Sequence, residues 1–279
     1  LLGLALVWAT IVVMLSLFER SMIFYPSRYP DGLWDTERLA ALHRVRLEDC
    51  WFDTDDGVRL HAWWCRPRAT GPGTAEMVVL WFHGNAGNLS HRAEMMLRLV
   101  EMPVQVVIVD YRGYGRSEGK PSEDGLYRDA DAAWRYLTTE RGVAPQRVVV
   151  LGKSLGGAVA VDLASRVRAA GLIVQSSFTS IRDMARHHFP FIPGALVRTR
   201  MDSLAKIDGV DGPKLFIHSP RDEVVPYALG RRLYDAAPEP KLFHVVQGAR
   251  HNDTYLVGGV AYWRALQEFV AACREADGS

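Results

Sequence analysis

From residue 45 onward the chain alternates short, β-branched apolar runs with longer stretches whose apolar residues recur at helical spacing. The runs "VRLEDCWF" (45–52) and "VRLHAWWC" (58–65) flank an Asp56-Gly57 turn and predict an antiparallel hairpin. Six more follow: "EMVVLWFHG", "VQVVIVDYRG", "RVVVLGKS", "GLIVQSS", "PKLFIHS" and "KLFHVVQG", with helical patterns near 88–102, 122–141, 155–169, 226–237 and 257–275. Strands that are apolar almost throughout have no face to offer water, so they belong in a parallel sheet with helices on both sides. The expectation is an α/β protein with eight strands, mostly parallel, the first pair antiparallel. Residues 177–207, between the sixth and seventh runs, are irregular and carry Pro190 and Pro193, which predicts a small lid.

The first eighteen residues, "LLGLALVWATIVVMLSLF", hold no charge and stop at Glu19-Arg20. As a helix they would span about 27 Å, close to the hydrocarbon core of a bilayer. No small-x-small cleavage site follows, so the segment reads as an uncleaved anchor of a single-pass membrane protein rather than a signal peptide. A buried helix is the plainer use of such a run, but it falls outside the strand and helix alternation that begins later. The sequence starts at Leu1 and not at a methionine, so it does not show whether a basic flank precedes the segment, and the orientation in the membrane stays open. Residues 19–44 read as a connector to one domain at 45–279. In it, Arg20, Phe24, Tyr25, Arg28 and Trp34 suit either a membrane interface or packing on the domain.

Composition removes several classes of function. Among 279 residues there are 33 Lys plus Arg and 32 Asp plus Glu, a net charge of +1, with no basic patch to attract nucleic acid. Cys50, Cys65 and Cys273 form no C-x-x-C, and no H-E-x-x-H occurs, so neither a metal nor another cofactor is expected. The hairpin register sets Cys50 opposite His61, which leaves the three cysteines as buried thiols.

Candidate chemistry lies just past the strands, where parallel sheets meet their ligands. "Gly152-Lys153-Ser154-Leu155-Gly156" fits G-x-S-x-G, in which glycines permit a sharp turn from strand to helix with the serine at its apex. A serine hydroxyl needs a base. Of nine histidines, His251 in "QGARHND" follows the last strand on a loop at the same sheet edge. The base needs an acid, and Asp222 in "HSPRDEVVPY" follows the seventh strand, whereas "QSSFTS" after the sixth has no carboxylate. Glu223 is the adjacent alternative, read instead as a cap of the helix near Pro226. The oxyanion of acyl chemistry needs two donors. Leu155 N–H directly follows the nucleophile, and Asn85, opened by Gly84 in "WFHGNAGNLS", supplies the other.

Together "FHGNAGN", "DYRGYGRSEG", "GKSLGG", "DEVVP" and "GARHND" resemble the α/β-hydrolase superfamily, particularly its single-pass, small-capped membrane group, which includes protein depalmitoylases. The resemblance covers about residues 20–275. It implies a Ser154, Asp222, His251 triad, oxyanion donors at Asn85 and Leu155, and an acyl-enzyme route for a carboxylic ester or thioester. "Asp110-Tyr111-Arg112-Gly113-Tyr114-Gly115" is expected to brace the active-site floor. Phe178 and, from the lid, Phe189, Phe191 and Ile192 are candidates for substrate contact, or else plug the core. A serine peptidase on the same fold and a catalytically silent interaction protein are the competing readings; the second requires a missing catalytic residue, and none is missing.

Overall fold

A computed structural model describes residues 19–68 and 77–276, together with Gly3 and Trp8. A short helix α1 (Thr36–His43) leads into β1 (Val45–Asp53) and β2 (Arg59–Pro67). Then come β3 (Met77–Phe82), α2 (Ala93–Val100), β4 (Val104–Asp110), α3 (Glu123–Arg135), β5 (Val148–Lys153), α4 (Leu155–Ala164) and β6 (Gly171–Gln175). The chain ends with α5 (Ile181–His188), β7 (Lys214–His218), α6 (Tyr227–Ala236), β8 (Lys241–Val245), a single turn α7 (Thr254–Val257) and α8 (Gly259–Ala276). All eight expected strands form one sheet, in the order β1-β2-β4-β3-β5-β6-β7-β8. Only β2 runs against its neighbours.

The central strands β3 and β5 are buried along their whole length, as their unbroken apolar runs require. Strand pleating sends alternate residues to opposite faces. Leu80, Phe82 and Val150 therefore pack with Leu126 of α3 and Val159 of α4, while Val79, Trp81 and Leu151 pack with Met96 of α2 and Leu266 and Phe269 of α8. Two cores, one on each side of the sheet, hold the carboxyl ends of the strands in fixed relation.

The hairpin register differs by one residue from the sequence reading: Cys50 lies opposite Ala62, and Trp51 opposite His61. Thr54 causes the shift. Its hydroxyl donates to Asp56 (2.6 Å) and accepts from Val58 N–H (2.9 Å), which lengthens the loop to an odd number of residues with Gly57 at φ 77°. All three cysteines are buried and free.

Residues 19–35 do more than connect. Ser27 N–H donates to Gly87 O (3.1 Å), Gly115 N–H to Ser27 O (2.9 Å) and Tyr29 N–H to Gly115 O (2.9 Å), so the segment is a strap bound across the loops that follow β3 and β4. Of the residues with two possible uses, Phe24 is buried in the core, Trp34 packs edge-on against Trp63, and Arg28 donates to Gly119 O (2.8 Å). The anchor expected over 1–18 lies outside the described residues save Gly3 and Trp8. Among the described residues no helix is long and apolar enough to cross a membrane.

Among the described glycines, the closest approach to opposing backbone is at the start of α4. A Cβ on Gly156 would lie 2.0 Å from Phe82 O, and one on Gly152 would lie 2.2 Å from Gly156 O. Both contacts are with backbone, which cannot swing aside. Gly156→Ala is therefore expected to lower stability by at least the ~1–3 kcal/mol typical of overpacking, read as a lower midpoint in urea unfolding. An unchanged midpoint would show that β3 and α4 can separate.

Candidate active site

β5 ends at Lys153 and α4 begins at Leu155, leaving one residue to reverse the chain. That residue, Ser154, has φ 55° and ψ −119°, a conformation that costs a non-glycine residue about 1–3 kcal/mol. Neighbouring groups pin it there. Ser154 N–H donates to Gln175 O (2.9 Å), and its carbonyl accepts from Gly157 N–H (2.9 Å) and from Ser177 Oγ (2.8 Å). The side chain is thrust away from both strand and helix into the space above the sheet.

Two loops bring Asp222 and His251, the expected acid and base, to the same end of the sheet. Asp222, after β7, has a fully buried side chain whose Oδ2 lies 2.8 Å from His251 Nδ1. Its Oδ1 also accepts from Val224 N–H (3.0 Å) and Val225 N–H (2.8 Å). A second imidazole stands on the same carboxylate, with His218 Nε2 3.4 Å from Oδ2. Burial pushes the carboxyl toward its neutral form, but the histidine contacts and the Val225 amide outweigh it, and Asp222 is held well below the usual carboxylate range. An ionised carboxylate only accepts, so Nδ1 of His251 carries the ring proton and Nε2 is left free to take one.

Glu223 does not cap α6, whose first turn has no side-chain cap and starts from Pro226. It accepts instead from the backbone N–H of His251 (3.2 Å). Neighbouring acids thus grip one histidine at two places, Asp222 by the ring and Glu223 by the main chain.

Asn85 and Leu155 lie with Ser154 on one cavity wall. The Asn85 side chain is fully engaged: Oδ1 accepts from Tyr25 N–H (3.0 Å) and Tyr114 OH (3.0 Å), and Nδ2 donates to Ile23 O. That leaves the oxyanion role expected of Asn85 to its backbone N–H, in the loop after β3. Below it, Tyr111 OH donates to His83 O (2.8 Å), and Asp110 accepts from Leu89 N–H (2.8 Å). The "DYRGYG" stretch therefore props up this loop from beneath, as its sequence position implied.

Two cavities meet at Ser154, Asn85, Tyr25 and Val224. One, of about 270 Å³, is walled by apolar side chains from the strap (Met22, Ile23) and the lid (Ile181, Met184, Phe189, Ile192). Phe178 lines it too, so three of the four proposed contact residues are placed there. Phe191 is not: it is 76% exposed, because the chain leaves α5 after His188 and turns the second phenylalanine outward against the edge of Phe189. Sequence reading missed Met22, Ile23 and Tyr25, since a strap has no periodicity to mark which residues face inward. The other cavity, of about 480 Å³, is lined by polar groups including His251, Lys153 and Arg92. Among the described residues no three His, Cys, Asp or Glu side chains are grouped as a metal site would need.

A family model described as serine aminopeptidase, S33, matches residues 73–207. An uncharacterized protein of Mycobacterium tuberculosis is 36% identical over 267 residues, covering 95% of this chain and 92% of its own. The α/β hydrolase domain-containing protein WAV2 of Arabidopsis thaliana is also 36% identical, over 93% of this chain and 89% of that protein. The chain belongs to the α/β-hydrolase superfamily. Among solved structures of that fold, the Pyrococcus furiosus esterase Pf2001 superposes with a TM-score of 0.73 at 21% identity, covering 90% of this chain and 98% of its own. In this hydrolase the sheet order and the placement of Ser154 after β5 are features of the shared fold.

The depressed pKa of Asp222 makes a stability prediction with a definite sign. A carboxyl more acidic when folded than when unfolded stabilises the protein fully above its unfolded value, near 3.8, and loses that contribution as pH falls through the folded value. Asp222→Asn should therefore flatten the acid limb of a melting-temperature profile recorded downward from pH 5. An acid limb as steep as that of the unaltered protein would mean that Asp222 has no part in it.

Proposed function

We propose that the protein is a membrane-anchored serine hydrolase that cleaves carboxylic esters or thioesters, with a preference for long acyl chains, through an acyl-enzyme. The observation that carries this reading is the position of Ser154, between an apolar cavity able to take a chain and a polar cavity lined by His251. Ser154 Oγ attacks the acyl carbon while its proton passes to His251 Nε2. Asp222 stabilises the imidazolium so formed, and the N–H groups of Asn85 and Leu155 take the charge on the carbonyl oxygen. Collapse breaks the bond to the leaving oxygen or sulfur, which departs with the proton from His251. Water then repeats the attack, giving its proton to His251; the acid leaves and Ser154 recovers its hydrogen. No cofactor enters these steps. The uncharged segment 1–18 would hold the domain at a bilayer, where such chains are found, and the likeness to the group that includes depalmitoylases agrees with that placement.

The family description also names aminopeptidases, whose substrates bring a cationic amine to the site. That amine belongs to the acyl part and would enter the apolar cavity, where the Glu19 carboxylate at the rim already accepts from Thr199 N–H (2.6 Å). An acyl substrate fits better.

Three measurements test the reading. A fluorophosphonate should label Ser154, seen by mass spectrometry of the labelled peptide, and equal labelling of Ser154→Ala would refute the nucleophile. Asp222→Asn should lower kcat by about 10⁴, as loss of the orienting acid does in a triad, and Glu223→Gln by much less. The reverse ranking would exchange the two acids' roles. With esters and S-acyl peptides from acetyl to palmitoyl, kcat/KM should climb roughly fourfold per added CH₂, following ~0.8 kcal/mol of burial each, until the cavity is full. A preference for acetyl that is indifferent to removal of residues 1–18 would leave a tethered general esterase.

A further inference from the structure

The polar cavity raises a question that the acyl-transfer chemistry does not answer. Lys153, next to the nucleophile, is only 8% exposed, yet its ammonium has no hydrogen-bond or ion-pair partner among the described residues. Lysines are rarely so buried unless paired. Across the same cavity Arg92 donates to Ala86 O but has no carboxylate within ion-pair reach among the described residues. The nearest acids are taken: Asp222 by His251 and the Val224 and Val225 amides, Asp253 by Arg250 N–H (2.6 Å). Burial and the charge of Arg92 pull the Lys153 pKa down to about 8, against the opposing pull of Asp222 and Asp253. Two cations therefore line one half-open cavity whose described lining includes no carboxylate.

Which part of a substrate occupies that space follows from His251. The proton it carries must go to the leaving oxygen or sulfur, so the leaving group lies on the side His251 lines, while the acyl chain takes the apolar side. We propose that the cavity of Lys153 and Arg92 is a leaving-group site for an alcohol or thiol that carries a phosphate monoester. The inference rests on the serine-hydrolase reading above and names the substrate class for it. A dianion matches two cations of this kind, Lys153 as a point charge and Arg92 as a planar fork. A neutral leaving group would leave both charges desolvated and unpaired.

The test uses the full chain in zwitterionic vesicles with three decanoyl esters, of glycerol, glycerate and glycerol 3-phosphate. The phosphate ester should exceed the glycerol ester at least tenfold in kcat/KM. That ratio, which cancels general effects on turnover, should fall toward one in Lys153→Met, fall in Arg92→Gln, and be largely kept in Lys153→Arg. As a readout independent of ester cleavage, inorganic phosphate should slow fluorophosphonate labelling of Ser154 in the unaltered protein and do so less in Lys153→Met and Arg92→Gln. A ratio near one in the unaltered protein, or a ratio that both neutralising variants leave intact, would overturn the proposal while the hydrolase reading stands. Equal preference for the glycerate ester would overturn the phosphate assignment. Failure to cleave any ester together with failure to label Ser154 would sink the hydrolase reading itself, and this inference with it.

Discussion

Everything at this site depends on one steric constraint, the reversal of the chain at Ser154 between a buried strand and a buried helix. At φ 55° the serine is held in a region that L residues avoid, and only close packing on all sides keeps it there. Gly152 and Gly156 make that packing possible because neither has a Cβ to strike the opposing backbone. The two cores supply the stability that offsets the strain, and Ser154 follows a strand that is buried along its whole length. The same turn places the first N–H groups of α4 beside the hydroxyl, so the proposed nucleophile and one proposed oxyanion donor come from a single backbone turn.

Around that fixed point the electrostatics are divided. Asp222 gathers two imidazoles and two amides, which keep it ionised despite full burial and set the tautomer of His251. On the opposite side of Ser154 the surroundings are nearly free of charge, and on the His251 side they are cationic. A substrate with one greasy end and one anionic end would find each half matched. Reversing it would desolvate the anion against apolar walls, so for the proposed substrate the division favours one direction of binding.

The strap ties the N-terminal region to the chemistry. Tyr25 N–H and Ile23 O hold the Asn85 side chain on one side, and Tyr114 OH holds it on the other. The loop that carries one expected oxyanion donor is thus positioned by the segment that leads out of residues 1–18. The proposed anchor and one wall of the apolar cavity are consecutive stretches of the sequence, and Met22 and Ile23 line that cavity.

The strands, their order along the chain and the candidate triad were legible from local pattern. Unbroken apolar runs demand burial on both faces, and the G-x-S-x-G turn, Asp222 and His251 each stand just past a strand, where the fold gathers its ligands. Local pattern reached its limit where a residue's role depends on partners far away in the chain. The one-residue shift of the hairpin came from a Thr54 hydroxyl, the role of Glu223 from a main-chain group 28 residues on, and the outward turn of Phe191 from the way α5 ends. The strap shows the limit most plainly: residues 19–35 have no periodicity, yet their hydrogen bonds to Asn85, Gly87 and Gly115 make them part of the site. Lys153 is the same case in electrostatic form. The sequence places a lysine beside Ser154, but only the packing around it decides that the residue is buried, unpaired among the described residues and at the cavity that His251 lines, because desolvation is a property of everything that surrounds a group and not of its neighbours along the chain.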